Sequence, residues 1–329
     1  MAIINITPLT DITALIASDN VSEGDALLLE DGIYYQTVII PKNNIRIIAK
    51  GTEVIFDGKS TLTAAFTLSN VTGVLIKGIN IRHYRANGIV IEGGYGNRII
   101  KNTINNMLDS GIVMINSRGN LIWKNEICRC GNGIILSLES TSNWIIDNIA
   151  EECSDDGFES VSGTENNNAF IYNKAIRNCV SGFGIFGNNN LVLGNLLTDN
   201  GNGLVISTES DSVAIGNIIK GCKSNTHEAV GYKNHFAEDN HIECNRLAGI
   251  IDRGESGTFL NNEISYNGNS GISLSFNINL VMDNILVCNT PENIIDNGTD
   301  NNLINNIEKP CEPCEAPSTV CGDCADKAD

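Results

Sequence analysis

Aromatic residues are scarce in this 329-residue chain, at 5%, with only 2 tryptophans and 6 prolines. A composition dominated instead by Asn, Gly and Ile does not suggest a core built on rings and points to a repetitive solenoid. Positive charge is also short. With 21 Lys and Arg against 39 Asp and Glu, the formal net charge is -18 and the pI is near 4.5. Nucleic acid and anionic membranes both select a basic surface, so neither is an expected partner. The opening "MAIINITPLT" lacks a positive n-region and an apolar h-region, so no signal peptide is expected. No apolar run is long enough for membrane insertion. The 11 cysteines are odd in number and scattered, unlike a secreted disulfide framework. Synthesis in a reducing compartment is therefore expected, with later deployment on a cell, spore or particle surface left open. GxSxG, P-loop and HExxH motifs are missing, which leaves serine-hydrolase, nucleotide and zincin readings without support.

What the chain does have is a repeat. "NRIIKN", "NLIWKN", "NWIIDN", "NAFIYN" and "NLVLGN" are successive versions of one segment, and its closing Asn recurs at 102, 125, 148, 173, 195, 217, 240, 262, 284 and 306. A Gly followed by an apolar residue comes about nine residues later, as at Gly111, Gly133, Gly157, Gly182, Gly203, Gly249 and Gly271. Each unit thus holds β-branched runs too short for helices, broken by Asn and Gly turns. The Leu/Asn consensus of leucine-rich repeats is absent, so coils of short parallel strands fit better. A second ladder lies five residues past each Asn: Met107, Cys130, Cys153, Asn178, Asn200, Cys222, Asn245, Asn267 and Asn289. At an inter-strand spacing of about 4.8 Å, these side chains should stack, the Asn amides bonding one another and the thiols filling space in reduced form.

These coils resemble the right-handed parallel β-helix of the pectin-lyase-like superfamily. "TPLTDITALIASDN" reads as a short capping helix, and "GDALLLEDGIYYQTVIIPKNNIRIIAKGTEVIFDG" is similar to the opening coils of such proteins. The resemblance implies an all-β solenoid of about 12–13 coils, with an N-terminal cap at 1–23, a β-helix at 24–308 and a Cys/Pro-rich acidic tail at 309–329. It leaves function open, because the superfamily holds polysaccharide lyases, hydrolases and epimerases as well as tailspikes and adhesins.

"SDDGFES" (154–160) is the most enzyme-like stretch. "DDGF" resembles the calcium-binding turn of one lyase subgroup, but the neighbouring coils supply no further carboxylate for a cation that takes six to eight oxygens. Counting from the anchor Asn places Arg85, Asp109, Asn132 and Asp155 in one row, with Asp156 beside it. Asp109 and Asp155, two coils apart, then approach the carboxyl separation of inverting glycosidases, and "RHYR" (82–85) adds cations for an anionic sugar. Against this stands the ordinary preference of turns for Asp, Asn and Ser. His227 and Glu228 replace the usual Gly and Ile of their coil.

Strand alternation turns Ile99, Ile122, Ile145, Phe170, Val192, Ala214, Ala237, Phe259, Val281 and Leu303 outward, together with Val90, Val113, Ile135, Val161, Val205, Val230 and Ile251. A face that apolar calls for a cover, such as a second copy of the chain. In the tail, Cys311, Cys314, Cys321 and Cys324 form CxxC-x6-CxxC, which suits either tetrahedral Zn²⁺ or cross-linking between molecules. The leading expectation is a non-catalytic, self-associating β-solenoid fastened by those cysteines. The alternative is a carbohydrate-active enzyme or glycan-binding module using Arg85, Asp109, Asp155 and Asp156.

Overall fold

The computed structural model describes residues 1–206, 211–223, 235–309 and Cys311. It is an all-β parallel solenoid with one six-residue helix, Ile12–Ala17, among the described residues. The Asp11 side chain caps the helix start, accepting from the Ala14 amide at 2.9 Å, Ser18 in extended conformation ends it, and Ile12 and Ile16 are its buried residues. The preceding strand Ile3–Ile6 is already part of the solenoid, pairing in parallel with Ala26–Leu29.

The chain forms two compact units, Met1–Cys153 with Glu159–Ala169, and Ser154–Phe158 with Phe170–Asp329. Each coil of the first unit contributes a strand to sheet A before the Asn corner, one to sheet B after it and one to sheet C after the Gly. Thus Arg98–Ile100 lies between Leu75–Lys77 and Leu121–Trp123 in sheet A. In sheet B, Thr103–Asn105 lies between Asn80–Arg82 and Glu126–Cys128. Ser110–Ile115 lies between Asn87–Glu92 and Asn132–Ser137 in sheet C. The second unit repeats the plan: Leu191–Leu193 pairs with Val213–Ile215 before the Asn corner, and Leu196–Thr198 with Ile218–Lys220 after it.

The anchor asparagines stack inside. In the second unit the Asn217 Oδ1 accepts from both the backbone and side-chain nitrogens of Asn195, each at 2.9 Å. The Asn217 side chain donates to the Val192 carbonyl at 2.9 Å and to Asn240 Oδ1 at 3.0 Å. Each corner thereby satisfies backbone groups that a buried turn would otherwise orphan. The second ladder behaves as expected: Asn178 Nδ2 donates to Asn200 Oδ1 at 3.0 Å, and the Cys222 amide donates to Asn245 Oδ1 at 3.0 Å. Cys130 and Cys153 are buried as thiols. Rings fill the gaps, with Tyr34 stacked on Phe56 at 4.8 Å in the first unit and Phe158 on Phe183 at 4.5 Å in the second. Burying each large apolar side chain contributes roughly 1.5–3 kcal/mol.

The expected outward ladder is corrected. Ile99, Ile122, Ile145, Phe170, Val192, Phe259 and Val281 are all 0% exposed, Ala214 and Ala237 are buried, and only Leu303, on the last described coil, is open. The reason lies in the corner. The residue before each Asn is left-handed, for example Lys101 (φ 55), Lys124 (φ 56) and Asp147 (φ 55). It points outward together with the residue before it, so strict alternation counted back from the inward Asn fails by one. Arg98, Ile100, Leu121, Trp123 and Trp144 face outward instead. In the sheet after the Gly, alternation holds: Ile89 and Ile91 are buried, Val90, Ile135, Val205 and Ile251 are half-buried and Val161 is exposed, though Val113 is covered. Val230 lies outside the described residues.

Candidate functional site

Sheet B of the first unit carries the densest set of reactive side chains. Asp57 ends strand Val54–Asp57 and pairs in register with Arg82, which ends Asn80–Arg82. The Arg82 Nε donates to Asp57 Oδ2 at 2.9 Å. His83 follows in a left-handed conformation (φ 56), which turns its ring back so that Nδ1 lies 3.4 Å from Asp57 Oδ1. The Lys59 amide donates to the same Oδ1 at 2.9 Å. Burial alone would raise the Asp57 carboxyl. The Lys59 amide, the Arg82 hydrogen bond and the charges of His83 and Arg82 outweigh burial and hold it below the ordinary carboxylate value.

The floor beneath this cluster is rigid. Tyr84 is 1% exposed, donates its hydroxyl to the Gln36 carbonyl at 2.7 Å, and has its phenol pKa pushed up mainly by burial. Gly58 crosses it so closely that a Cβ there would lie 2.6 Å from the His83 carbonyl oxygen and 2.7 Å from the Tyr84 ring. Lys59 reaches over the exposed Tyr35 ring, its Nζ 3.6 Å from the centroid. Cation, carboxylate, imidazole and ring thus converge from segments 34–36, 57–60 and 82–84.

Along sheet B the next residues in register with Arg82 are Asn105, Cys128 and Glu151. They line a shallow groove of about 340 Å³ with Thr103, Glu126 and Arg129. Arg129 closes its edge by bonding Glu152 at 3.1 Å.

Within the first unit the sequence-derived row is offset by one residue. In the first unit the register between Asn87–Glu92 and Ser110–Ile115 sets Ala86, not Arg85, beside Asp109, whose amide donates to the Ala86 carbonyl. Gly131 flanks Asp109 on the other side, where Asn132 was expected. Asp109 is exposed and its Oδ1 accepts from the Ser110 hydroxyl at 3.1 Å; Arg85 is exposed beside Leu108. In the second unit Asp155 is exposed, whereas Asp156 is buried and accepts from the Ser181 amide at 2.6 Å. Burial, opposed by the Ser181 hydrogen bonds and aided by the Asp155 charge, pushes the Asp156 carboxyl up to about 6. This is the same bond that Asn87 makes to the Ser110 amide in the first unit, so Asp156 acts as a turn residue. His227 and Glu228 lie outside the described residues.

Sequence reasoning missed Asp57 and Lys59 and treated Arg82 and His83 as accessories. Their coil precedes the regular Asn repeat, so no period aligned "FDGKS" with "RHYR". The available signal was the Asp-Gly turn directly after an apolar strand.

At the start of the tail, Cys311 forms a disulfide with Cys288, with Cα atoms 4.2 Å apart. Their sequence separation of 23 is one coil, which sets them on neighbouring rungs. Cys314, Cys321 and Cys324 lie outside the described residues. Among the described residues no three His, Cys, Asp or Glu side chains are arranged to hold a metal ion.

Residues 64–217 match the family model described as right handed beta helix region. The chain has the fold of a right-handed parallel β-helix. Among solved structures it is similar to a PL6 family polysaccharide lyase from Pseudopedobacter saltans, with a TM-score of 0.70, 13% identity and coverage of 95% of this chain and 94% of that one. It is also similar to a DFA-IIIase from Arthrobacter chlorophenolicus A6 (TM-score 0.56, 13% identity, 90% and 88% covered). A third is the A-module of a mannuronan C-5 epimerase from Azotobacter vinelandii (TM-score 0.54, 14% identity, 92% and 95% covered). At these identities the likeness is one of fold. No curated protein matches the chain in sequence.

Proposed function

We propose that this chain is a carbohydrate-active protein that acts on an acidic polysaccharide at the Asp57–Arg82–His83 cluster. The observation that carries the reading is the imidazole of His83, held at Nδ1 by a buried carboxylate beside a guanidinium on an outward strand end. Asp57 fixes the ring and leaves Nε2 to exchange a proton with a ligand. Arg82 uses only Nε on Asp57, so its terminal amino groups remain for a ligand carboxylate. Lys59 adds a second cation beside a ring.

This constellation suits abstraction of the proton next to a uronate carboxylate. His83 takes the proton, and the cations compensate the charge that develops on the carboxylate. The electron pair then either expels the glycosidic oxygen on the next carbon, which takes up the proton from the His83 imidazolium as the carbon–carbon double bond forms, or recaptures a proton from water on the opposite face. Two-carboxylate hydrolysis fits less well, because the cluster contains one carboxylate and Arg82 already neutralises it. Similarity of fold to polysaccharide lyases and a C-5 epimerase supports the substrate class. The test is a panel of acidic and neutral polysaccharides, read by absorbance of the unsaturated product and by NMR for inversion. Turnover lost in His83→Ala supports the reading, and turnover unchanged in that variant sinks it.

A second reading, self-association, is favoured by the outward face of the second unit's strands before the Asn corner. Leu191, Leu193, Val213, Ile215, Phe236 and Leu260 form a half-buried apolar strip there, interrupted by Glu238 and Thr258. Mass photometry of the full chain, untreated, reduced and chelated, tests it. A single 35 kDa species in every condition removes it.

A further inference from the structure

In a chain so poor in rings and so acidic, one strip of the first unit gathers both tryptophans, a tyrosine and four cations. Trp123 and Trp144 lie on adjacent strands of sheet A and both face outward; Trp144 pairs in register with Leu121, two residues before Trp123. Trp144 is 51% exposed and Tyr95 is 55% exposed. Along one border Arg118 bridges to Tyr95, with its guanidinium 6.0 Å from the ring centroid. Along the other, Lys124 stands 5.2 Å from the Trp123 centroid. Arg98 and Lys101 are exposed on the neighbouring coil. The acid within the strip, Asp147, bonds Lys124 at 3.4 Å.

Exposed indole and phenol rings are flat apolar platforms for the C–H face of a sugar, and the interleaved cations meet its carboxylates. Adjacent rungs repeat at about 4.8 Å along the coil axis, so Trp123 and Trp144 lie diagonally on successive rungs with Tyr95 at the opposite border, and an extended chain can cross the strip over them. The local positive charge acts within a Debye length of about 8 Å at physiological salt, so it draws an anion despite the acidity of the remaining surface. Rings and cations alternate here, unlike the mainly apolar strip of the second unit, which carries no cation among Leu191, Leu193, Val213, Ile215, Phe236 and Leu260. That alternation favours a sugar over a second copy of this acidic chain.

We infer that this strip binds an acidic polysaccharide, using residues separate from the Asp57–Arg82–His83 cluster. It rests on the proposed function for the substrate class alone. The test is affinity electrophoresis of the full chain through gels containing polygalacturonate, alginate or neutral dextran, in the His83→Ala background so that polymer is not consumed. The expected result is retardation by at least one acidic polymer and not by dextran, weakened about tenfold in Trp123→Ala/Trp144→Ala and in Arg98→Gln/Arg118→Gln. Circular dichroism confirms that the variants fold. Retardation unaffected by both double variants, or absent with both acidic polymers, overturns the inference. A concentration-dependent dimer abolished by the Trp variant overturns it too, by assigning the strip to a second copy. Retardation without turnover in the unmutated chain would refute only the catalytic reading. Turnover with Trp-independent retardation would refute only this one.

Discussion

The Nδ1 of His83 lies 3.4 Å from Asp57 Oδ1, while Arg82 Nε holds the other oxygen of that carboxylate at 2.9 Å. One carboxylate therefore orients both an imidazole and a guanidinium that the sequence places side by side. Asp57→Asn keeps the shape but loses the charge that both partners need. Turnover should fall by about 10²–10⁴-fold in His83→Ala, and clearly but less in Asp57→Asn, measured as initial rates on the most active polymer. An Asp57→Asn rate equal to that of the unmutated chain would show that the carboxylate orients nothing.

Asp57 also sets an acid limit on stability. Its folded pKa is depressed, so its contribution is present above the unfolded value of about 3.8 and is lost as pH falls through the lower folded value. Melting curves of Asp57→Asn should show lower stability at neutral pH and a smaller loss on acidification than the unmutated chain.

Asp156 has the opposite sign. Its folded value of about 6 lies above the ordinary 3.8, so the folded chain holds an extra proton between those values. Stability should decline as pH rises through that window and stay reduced above it. Asp156→Asn retains the acceptor for the Ser181 amide and removes the charge. It should stabilise the protein by about 1–3 kcal/mol above pH 6 and flatten the pH dependence. Gly184→Ala tests the packing of the same carboxyl, because its Cβ would lie 2.9 Å from Asp156 Oδ2; a lower melting temperature is expected.

Asn217 is fully buried and serves Asn195, Val192 and Asn240 at once. Asn217→Ala leaves a buried amide and a carbonyl without partners and should cost about 2–4 kcal/mol in denaturant unfolding. A cost below about 0.5 kcal/mol, the usual range for surface substitutions, would mean the ladder is ornamental.

The thiols should divide by burial. Cys130 and Cys222 are pushed up to about 12, in each case mainly by burial, so both should resist alkylation at neutral pH until the chain unfolds. Cys244 is exposed and should react before Cys130 and Cys222. Non-reducing peptide mapping should recover Cys288 joined to Cys311.

The solenoid was legible because its corners are marked: an Asn every 22–25 residues and a Gly-apolar pair after it need no long-range information. The direction of the flanking strands was not. In "NRIIKN" apolar residues occupy successive positions, so hydrophobicity alone does not choose a face, and the left-handed Lys101 changes the parity of alternation between Ile99 and Asn102. The same dependence on counting misplaced Arg85 by one residue relative to Asp109. The Asp57–Arg82–His83 cluster was obscured for a different reason. Its partners are brought together by the register of an irregular early coil, and that register is set by strand pairing rather than by any repeated residue.

Within each unit, an Asn of the stacked corners serves the coil before it and is served by the coil after it, as Asn125 does in the first and Asn217 in the second. Duplicating or deleting one whole coil leaves these connections intact, whereas gaining or losing a few residues at the corner breaks them. The gene for such a chain can therefore lengthen or shorten in steps of about 22 codons, and selection can adjust the number of rungs without redesigning any of them.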